Sequence, residues 1–294
     1  MVREISIDDV MELEFECTTL CNAQCPLCYR NYVSFQKSPY GIPTVRDFQE
    51  TLGQLDTFRN LRYVMLVGSM SEPTLYPNFL DLVEYLKRRG VKIEICTNGD
   101  TRDENFWRRL GRVLDENDSV YFTICGATQE LHEKYRVGTN LSNIVRNASY
   151  IRQEKPIDYA QCIRFNYNSG HFDSLQFKRF ISQFSNVYMT ETFYPKQLSN
   201  YQTKFNVSDF TPCREKLHLY DRMKSFAKKQ YLSGKSNPSE CMCKRYGRFQ
   251  LDVYGNLYPC YLFLEYSNGT AWNMDRDDII HVNHECCMFC DKVA

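Results

Sequence analysis

The order of apolar runs along residues 11–193 leaves few architectures open. Six short runs read as strands, at 11–17, 61–67, 91–97, 119–125, 159–166 and 186–193. Between them lie stretches whose apolar residues recur at helical spacing: 44–58 (Val45, Phe48, Leu52, Leu55), 79–89, 105–114, 141–152 and 174–184. Gly90 stops the second of these. Several of the strand runs are apolar almost throughout, as strands covered on both faces are, so the alternation predicts an α/β chain with a parallel sheet. Six units are too few for an eight-unit barrel and predict an open, partial (β/α)6 barrel. In parallel sheets the functional loops gather at the carboxyl ends of strands.

The loop after the first run carries three thiols, Cys21, Cys25 and Cys28, at C-x3-C-x2-C spacing. A chain that reverses within eight residues can wrap three thiolates around one metal centre. Structural zinc sites and complete iron–sulfur sites take four protein ligands. Three leave one coordination position for another group and make the loop a candidate reaction centre. A zinc site whose fourth ligand lies far along the chain satisfies the same spacing. Cys17, Cys96, Cys125 and Cys162 fall within apolar runs and read as small core residues.

Composition narrows the partners. Lys plus Arg and Asp plus Glu both number 36, so no overall charge argues for nucleic acid or an anionic membrane. No apolar run reaches the ~20 residues of a membrane span. The first residues are too polar for a signal peptide. Fourteen cysteines without such a signal predict a reducing, cytoplasmic setting and metal binding in place of disulfides.

Further landmarks stand at later strand ends. Gly68-Ser69-Met70-Ser71-Glu72-Pro73 follows the second run, with small residues that admit a ligand and Glu72 as an acceptor for an ammonium. Cys96-Thr97-Asn98-Gly99 follows the third, and Thr123-Ile124-Cys125-Gly126 follows the fourth. Tyr135-Arg136-Val137-Gly138 comes next, and Asn166 and Asn168 follow the fifth run. Residues 195–240 break the alternation and read as a linker with one basic helical piece, 215–231. Beyond it, residues 248–258 form a hairpin pattern around Tyr254-Gly255, which brings Cys243 and Cys260 together. Cys287 and Cys290 supply a further pair, with Cys286 and Cys241 as alternative ligands; four thiolates fit either zinc or a closed cluster.

Taken in order, these motifs resemble the radical S-adenosylmethionine (radical SAM) enzymes. In that family the three cysteines of the loop hold a [4Fe-4S] cluster, and SAM fills its open iron. The usual aromatic residue before the third cysteine is Leu27 here, with Tyr29 just after. Ser71-Glu72-Pro73 is similar to the end of the family's GGEP motif, Thr97-Asn98-Gly99 to its TNG turn, and Thr123 to Gly126 to its ribose-contacting segment, with Cys125 in place of an aspartate. Arg136 matches an arginine that pairs with the SAM carboxylate. The resemblance therefore implies Leu27, Tyr29, Ser71, Glu72, Thr97, Asn98, Thr123 and Arg136 as the SAM-binding residues. Cys243, Gly255, Cys260 and the Cys287-x2-Cys290 pair resemble a twitch domain, the shortened SPASM form, which implies an auxiliary [4Fe-4S] cluster.

The implied organisation is a radical SAM barrel over 1–194, a linker over 195–240 and an auxiliary-cluster domain over 241–294. The implied chemistry is reductive cleavage of SAM to a 5′-deoxyadenosyl radical, with electrons from a donor such as flavodoxin or ferredoxin. Ten residues precede the first strand run, which leaves no room for a peptide-recognition domain and points to oxidation of a small molecule. A peptide-modifying maturase is the alternative, and a non-catalytic zinc or iron–sulfur protein is the alternative of another class. None of the five histidines stands in a diagnostic motif, so no general base is named.

Overall fold

The computed structural model describes residues 3–26, 28, 44–68, 71–191, 207–210, 248–251, 253, 257–258 and 279–282. Contacts divide the chain into two units: Met1–Phe15 with Arg46–Val64 and Arg214–Ala294, and Glu16–Val45 with Met65–Cys213. Among the described residues no helix is long and apolar enough to cross a membrane.

In the first unit, β1 (Arg3–Ser6) pairs antiparallel with β10 (Ile279–Val282). Strand β2 (Glu12–Phe15) lies parallel to β8 (Arg248–Leu251), with Leu13 opposite Phe249 and Phe15 opposite Leu251, all four buried. Strand β8 turns back into β9 (Leu257–Tyr258), so the expected hairpin is present, with Leu251 opposite Leu257. Its parallel pairing with β2 joins segments more than 230 residues apart (248 − 12 = 236), beyond what a local pattern can show.

Helix α1 (Phe48–Thr57) begins four residues later than the apolar spacing predicts. The Asp47 carboxylate caps it by accepting from Glu50 N at 2.9 Å. Val45, expected on that helix, instead forms an antiparallel bridge with Thr18. Two strand-like partners took the residues that propensity alone assigned to the helix. Strand β3 (Tyr63–Leu66), in which the chain passes to the second unit, alternates half-buried and buried side chains.

The second unit continues through α2 (Phe79–Arg88), β4 (Lys92–Thr97), α3 (Glu104–Val113), β5 (Ser119–Ile124), α4 (Gln129–Glu133), α5 (Leu141–Glu154), β6 (Asp158–Arg164), α6 (Ser169–Phe172), α7 (Leu175–Ile181) and β7 (Asn186–Glu191). Strands β4 to β7 are consecutive and parallel. The result is the predicted α/β architecture with a parallel sheet. Helices α4 and α6, of five and four residues, carry too little sequence for a period and were not predicted.

The two faces of β4–β7 differ because side chains alternate along a strand. Ile93, Ile95, Val120, Phe122, Ala160 and Cys162 form the face that the helices cover, all fully buried. Trp107 of α3 packs on Phe122 with ring centroids 5.3 Å apart, and its indole N–H donates to Thr101 O at 2.9 Å. The opposite face carries polar groups in register: Cys96 beside Tyr121 beside Tyr159, and Thr123 beside Gln161 beside Tyr188. Tyr121 packs on Tyr159 at 4.8 Å and meets Tyr188 edge-on at 5.9 Å. Burial, with the Glu94 charge, pushes the Tyr121 hydroxyl up to about 12.

Candidate metal and nucleotide site

Seven hydrogen bonds from four segments of the chain fix the cysteine loop that follows β2. At its entrance Thr19 N donates to Thr44 O at 2.9 Å and Thr44 N to Thr19 Oγ1 at 2.7 Å. Glu72 N then donates to Leu20 O at 2.7 Å, which joins the loop to the turn after β3. Asn98 Nδ2 donates to Asn22 Oδ1 at 2.7 Å, and Asn22 Nδ2 donates to Asp100 Oδ2 at 3.3 Å, which join it to the turn after β4. Gln24 N donates to Val137 O at 2.9 Å, and Arg136 Nη1 donates to Cys25 Sγ at 3.4 Å. These place Cys21, Cys25 and Cys28 against one cluster containing Ala23, Cys125, Tyr135, Phe165 and Phe210.

Cys25 is buried, and Cys21 and Cys28 are half-buried. Cys28 N donates to Cys25 O at 3.1 Å, the turn that reverses the loop, and Ala23 N donates to Cys21 Sγ at 3.4 Å. Among the described residues no three His, Cys, Asp or Glu side chains are drawn tightly enough for a single ion.

Glu72 is almost fully enclosed. Its Oε1 accepts from Thr74 N (3.2 Å), Thr74 Oγ1 (2.7 Å) and Thr97 Oγ1 (2.6 Å), and its Oε2 from Asn98 N (2.7 Å). Burial raises its pKa, and the four donors oppose that rise. Four acceptor sites are about what a carboxylate has. Glu72 therefore acts here as a clamp between two strand-end turns, where the sequence suggested an acceptor for an ammonium. Thr97 Oγ1 also accepts from Gly99 N at 2.9 Å, and Asn98 Oδ1 from Asp100 N at 3.0 Å, so both side chains are engaged within the protein. Gly99 has φ +72°, and a Cβ there would stand 2.5 Å from the Phe122 ring. Thr123, buried at the end of β5, donates to Thr97 O at 3.3 Å.

Among the described residues, two of the predicted ones keep enclosed polar atoms without a partner: Ser71 Oγ and Arg136 Nε. A polar atom withdrawn from water and left unpaired costs about 1–3 kcal/mol, and a bound polar ligand relieves that cost. These two atoms are where the structure fits SAM, and the three-thiol loop beside Arg136 fits a cluster with one open iron. Asn168 is not such a group. Its Oδ1 accepts from Phe165 N, and its Nδ2 donates to Cys125 O and Ile163 O, while Asn166 is exposed. Leu27 and Tyr29, and the second cysteine set (Cys243, Cys260, Cys287, Cys290, with Cys241 and Cys286), lie outside the described residues.

His132 is a structural participant that motif reading missed. Its Nδ1 accepts from Cys125 N at 3.3 Å, which leaves the proton on Nε2, 3.0 Å from Thr139 Oγ1. Thr139 Oγ1 in turn donates to Arg136 O at 2.8 Å. Burial, with the Arg136 charge, pulls the imidazole down to about 3, so it is neutral. Burial also pushes the Cys125 thiol up to about 12. Cys125 is thus a protonated core thiol. Only the seven-residue separation of His132 from Cys125 and Thr139 hinted at this network, and that spacing is common.

The Radical SAM superfamily model matches residues 15–158. The chain is 28% identical over 112 residues to the tungsten-containing aldehyde ferredoxin oxidoreductase cofactor-modifying protein of Pyrococcus furiosus, covering 38% of this chain and 30% of that protein. It is 28% identical over 143 residues to the mycofactocin maturase MftC of Mycobacterium ulcerans, covering 49% of this chain and 37% of that one. The matches thus span about a third of these curated relatives. The structure of SuiB from Streptococcus suis bound to precursor peptide SuiA superposes with a TM-score of 0.61 at 14% identity, over 91% of this chain and 63% of that chain. SuiB bound to S-adenosylmethionine superposes at 0.59, also at 14% identity, over 90% and 63%. The matched span, the parallel strand order and the place of the cysteine loop agree: residues 15–158 are similar to the Radical SAM superfamily.

Proposed function

We propose that the chain is a radical SAM enzyme that modifies a peptide. The observation that carries the reading is the cysteine loop, held at a strand end by four neighbouring turns with Ser71 Oγ and Arg136 Nε left for a ligand. Cys21, Cys25 and Cys28 would hold the [4Fe-4S] cluster, and the Ser71 hydroxyl and the Arg136 guanidinium would meet SAM. Glu72, Thr97 and Asn98 keep the two turns at fixed spacing, and Thr123 closes the floor. When bound, the cluster and SAM supply the electron and the 5′-deoxyadenosyl group that abstracts hydrogen from substrate.

The peptide class is favoured over a small molecule by the relatives, a maturase and a cofactor-modifying protein, and by a fold neighbour solved with a precursor peptide. The face of β4–β7 that carries Tyr121, Tyr159, Gln161 and Tyr188 suits that class, because these residues offer ring faces and hydrogen-bonding groups. An auxiliary [4Fe-4S] cluster on Cys243, Cys260, Cys287 and Cys290 in a C-terminal twitch domain belongs to the same proposal, with an external one-electron donor.

The test is made on protein reconstituted anaerobically with iron and sulfide, then given SAM and dithionite. Formation of 5′-deoxyadenosine that disappears in Cys28→Ala is expected, with iron and sulfide for two clusters. Small peptides encoded beside the gene are then added, and a SAM-dependent mass change is expected in one of them. Zinc in place of iron would end the catalytic reading. A mass change only in small-molecule alcohols would return the chain to small-molecule oxidation.

A further inference from the structure

We infer that Arg136 sets the redox level of the cluster by donating a hydrogen bond to the sulfur of Cys25, in addition to meeting SAM. The inference rests on the iron–sulfur reading of the loop.

The arginine is held from both sides of its own backbone. Arg136 N donates to His132 O at 3.0 Å, and its carbonyl accepts from Thr139 N at 3.1 Å and Thr139 Oγ1 at 2.8 Å. The next residue is fixed to the cysteine loop itself, through Gln24 N on Val137 O. Loop and arginine therefore keep one spacing, and the 3.4 Å contact from Nη1 to Cys25 Sγ is built in by the backbone. The guanidinium carbon lies 5.5 Å from the centre of the Tyr135 ring, and the buried, protonated Cys125 thiol is a further neighbour.

Among the described residues no carboxylate partners this guanidinium. A cation enclosed without a counter-ion is costly, and a thiolate at Cys25 supplies the missing charge. The same contact acts back on the sulfur. A hydrogen bond from a fixed cation draws electron density from a ligating thiolate and favours the reduced cluster, and hydrogen bonds to sulfur are among the factors that set cluster potentials. Arginine has five N–H donors in a planar fork, so one nitrogen can hold the sulfur while another meets a carboxylate. Arg136 is thus a positioning and tuning residue that joins the two cofactors.

The full chain is reconstituted anaerobically as wild type, Arg136→Gln and Arg136→Lys. Iron and sulfide are measured first. A wild type that takes up neither removes the underlying reading, and the inference with it. The midpoint potential is then measured by EPR-monitored titration without SAM, following the signal that SAM alters in a parallel sample. Arg136→Gln with wild-type iron content is expected at a more negative potential, with Arg136→Lys between the two. An unchanged potential in fully loaded Arg136→Gln overturns the inference, even where SAM binding is lost. Wild-type protein labelled with 15N-arginine gives a second readout that needs no variant. A weak 15N hyperfine coupling to the reduced cluster is expected, and its absence from that spectrum overturns the inference.

Discussion

Single residues set how the site answers to substitution and to pH. Glu72→Gln replaces one acceptor oxygen by a donor, which then faces an N–H or O–H. We expect a loss of about 1–3 kcal/mol in denaturant unfolding, together with weaker SAM binding, since the turn carrying Ser71 loses its anchor. His132 gives a pH signature of known sign. Its folded pKa, about 3, lies below the ordinary histidine value. Its contribution is therefore present above about 6.5 and is lost as the pH falls toward 3, at up to roughly 1.4 kcal/mol per pH unit. Glu72, raised by burial, works in the opposite sense on acidification. The difference between wild type and His132→Asn isolates the imidazole: wild type should lose stability more steeply between pH 6.5 and 4, and parallel curves would contradict the assignment. None of this was legible in the sequence. Glu72 was visible as a motif residue, but the four donors that surround it come from Thr74, Thr97 and Asn98, and only folding brings them together. Likewise Arg136 and Cys25 stand 111 residues apart.

At the scale of elements the sequence was far more informative. The strand–helix order, the stop at Gly90 and the hairpin at β8–β9 follow from local periodicity and turn chemistry, so they could be read directly. The start of α1 could not, because Thr44 and Val45 are claimed by Thr18 and Thr19. Glycines give a graded test of the turns. Gly53 lies within α1 with open space around its Cα, so Gly53→Ala should stabilise by up to about 1 kcal/mol. Gly90 has φ +73° but nothing near a new Cβ, so Gly90→Ala should cost about 1–2 kcal/mol. Gly99→Ala carries the same backbone penalty and also displaces Phe122, on which Trp107 packs, so it should cost clearly more. Thermal unfolding of the three variants should rank them in that order.

For the whole molecule, binding and folding are linked. A ligand that binds only the native state stabilises it by RT ln(1 + [L]/Kd), about 2.7 kcal/mol at one hundred times Kd. Cluster loading should raise the melting temperature under anaerobic conditions, SAM should raise it again, and Cys25→Ser should abolish both increments. Calorimetry on apo, loaded and SAM-bound protein measures this directly.

Where the sulfur atoms lie also decides how the protein ages in air. Cys17, Cys125 and Cys162 are enclosed, and burial pushes the last two thiols up to about 12, so they hold their protons. Oxygen damage among the described cysteines should therefore concentrate in the half-buried Cys21 and Cys28 of the loop and in Cys96 of β4, and spare the enclosed thiols. A bleached preparation would then be a repairable one: mild reductant, iron and sulfide should restore its colour without the chain ever being unfolded.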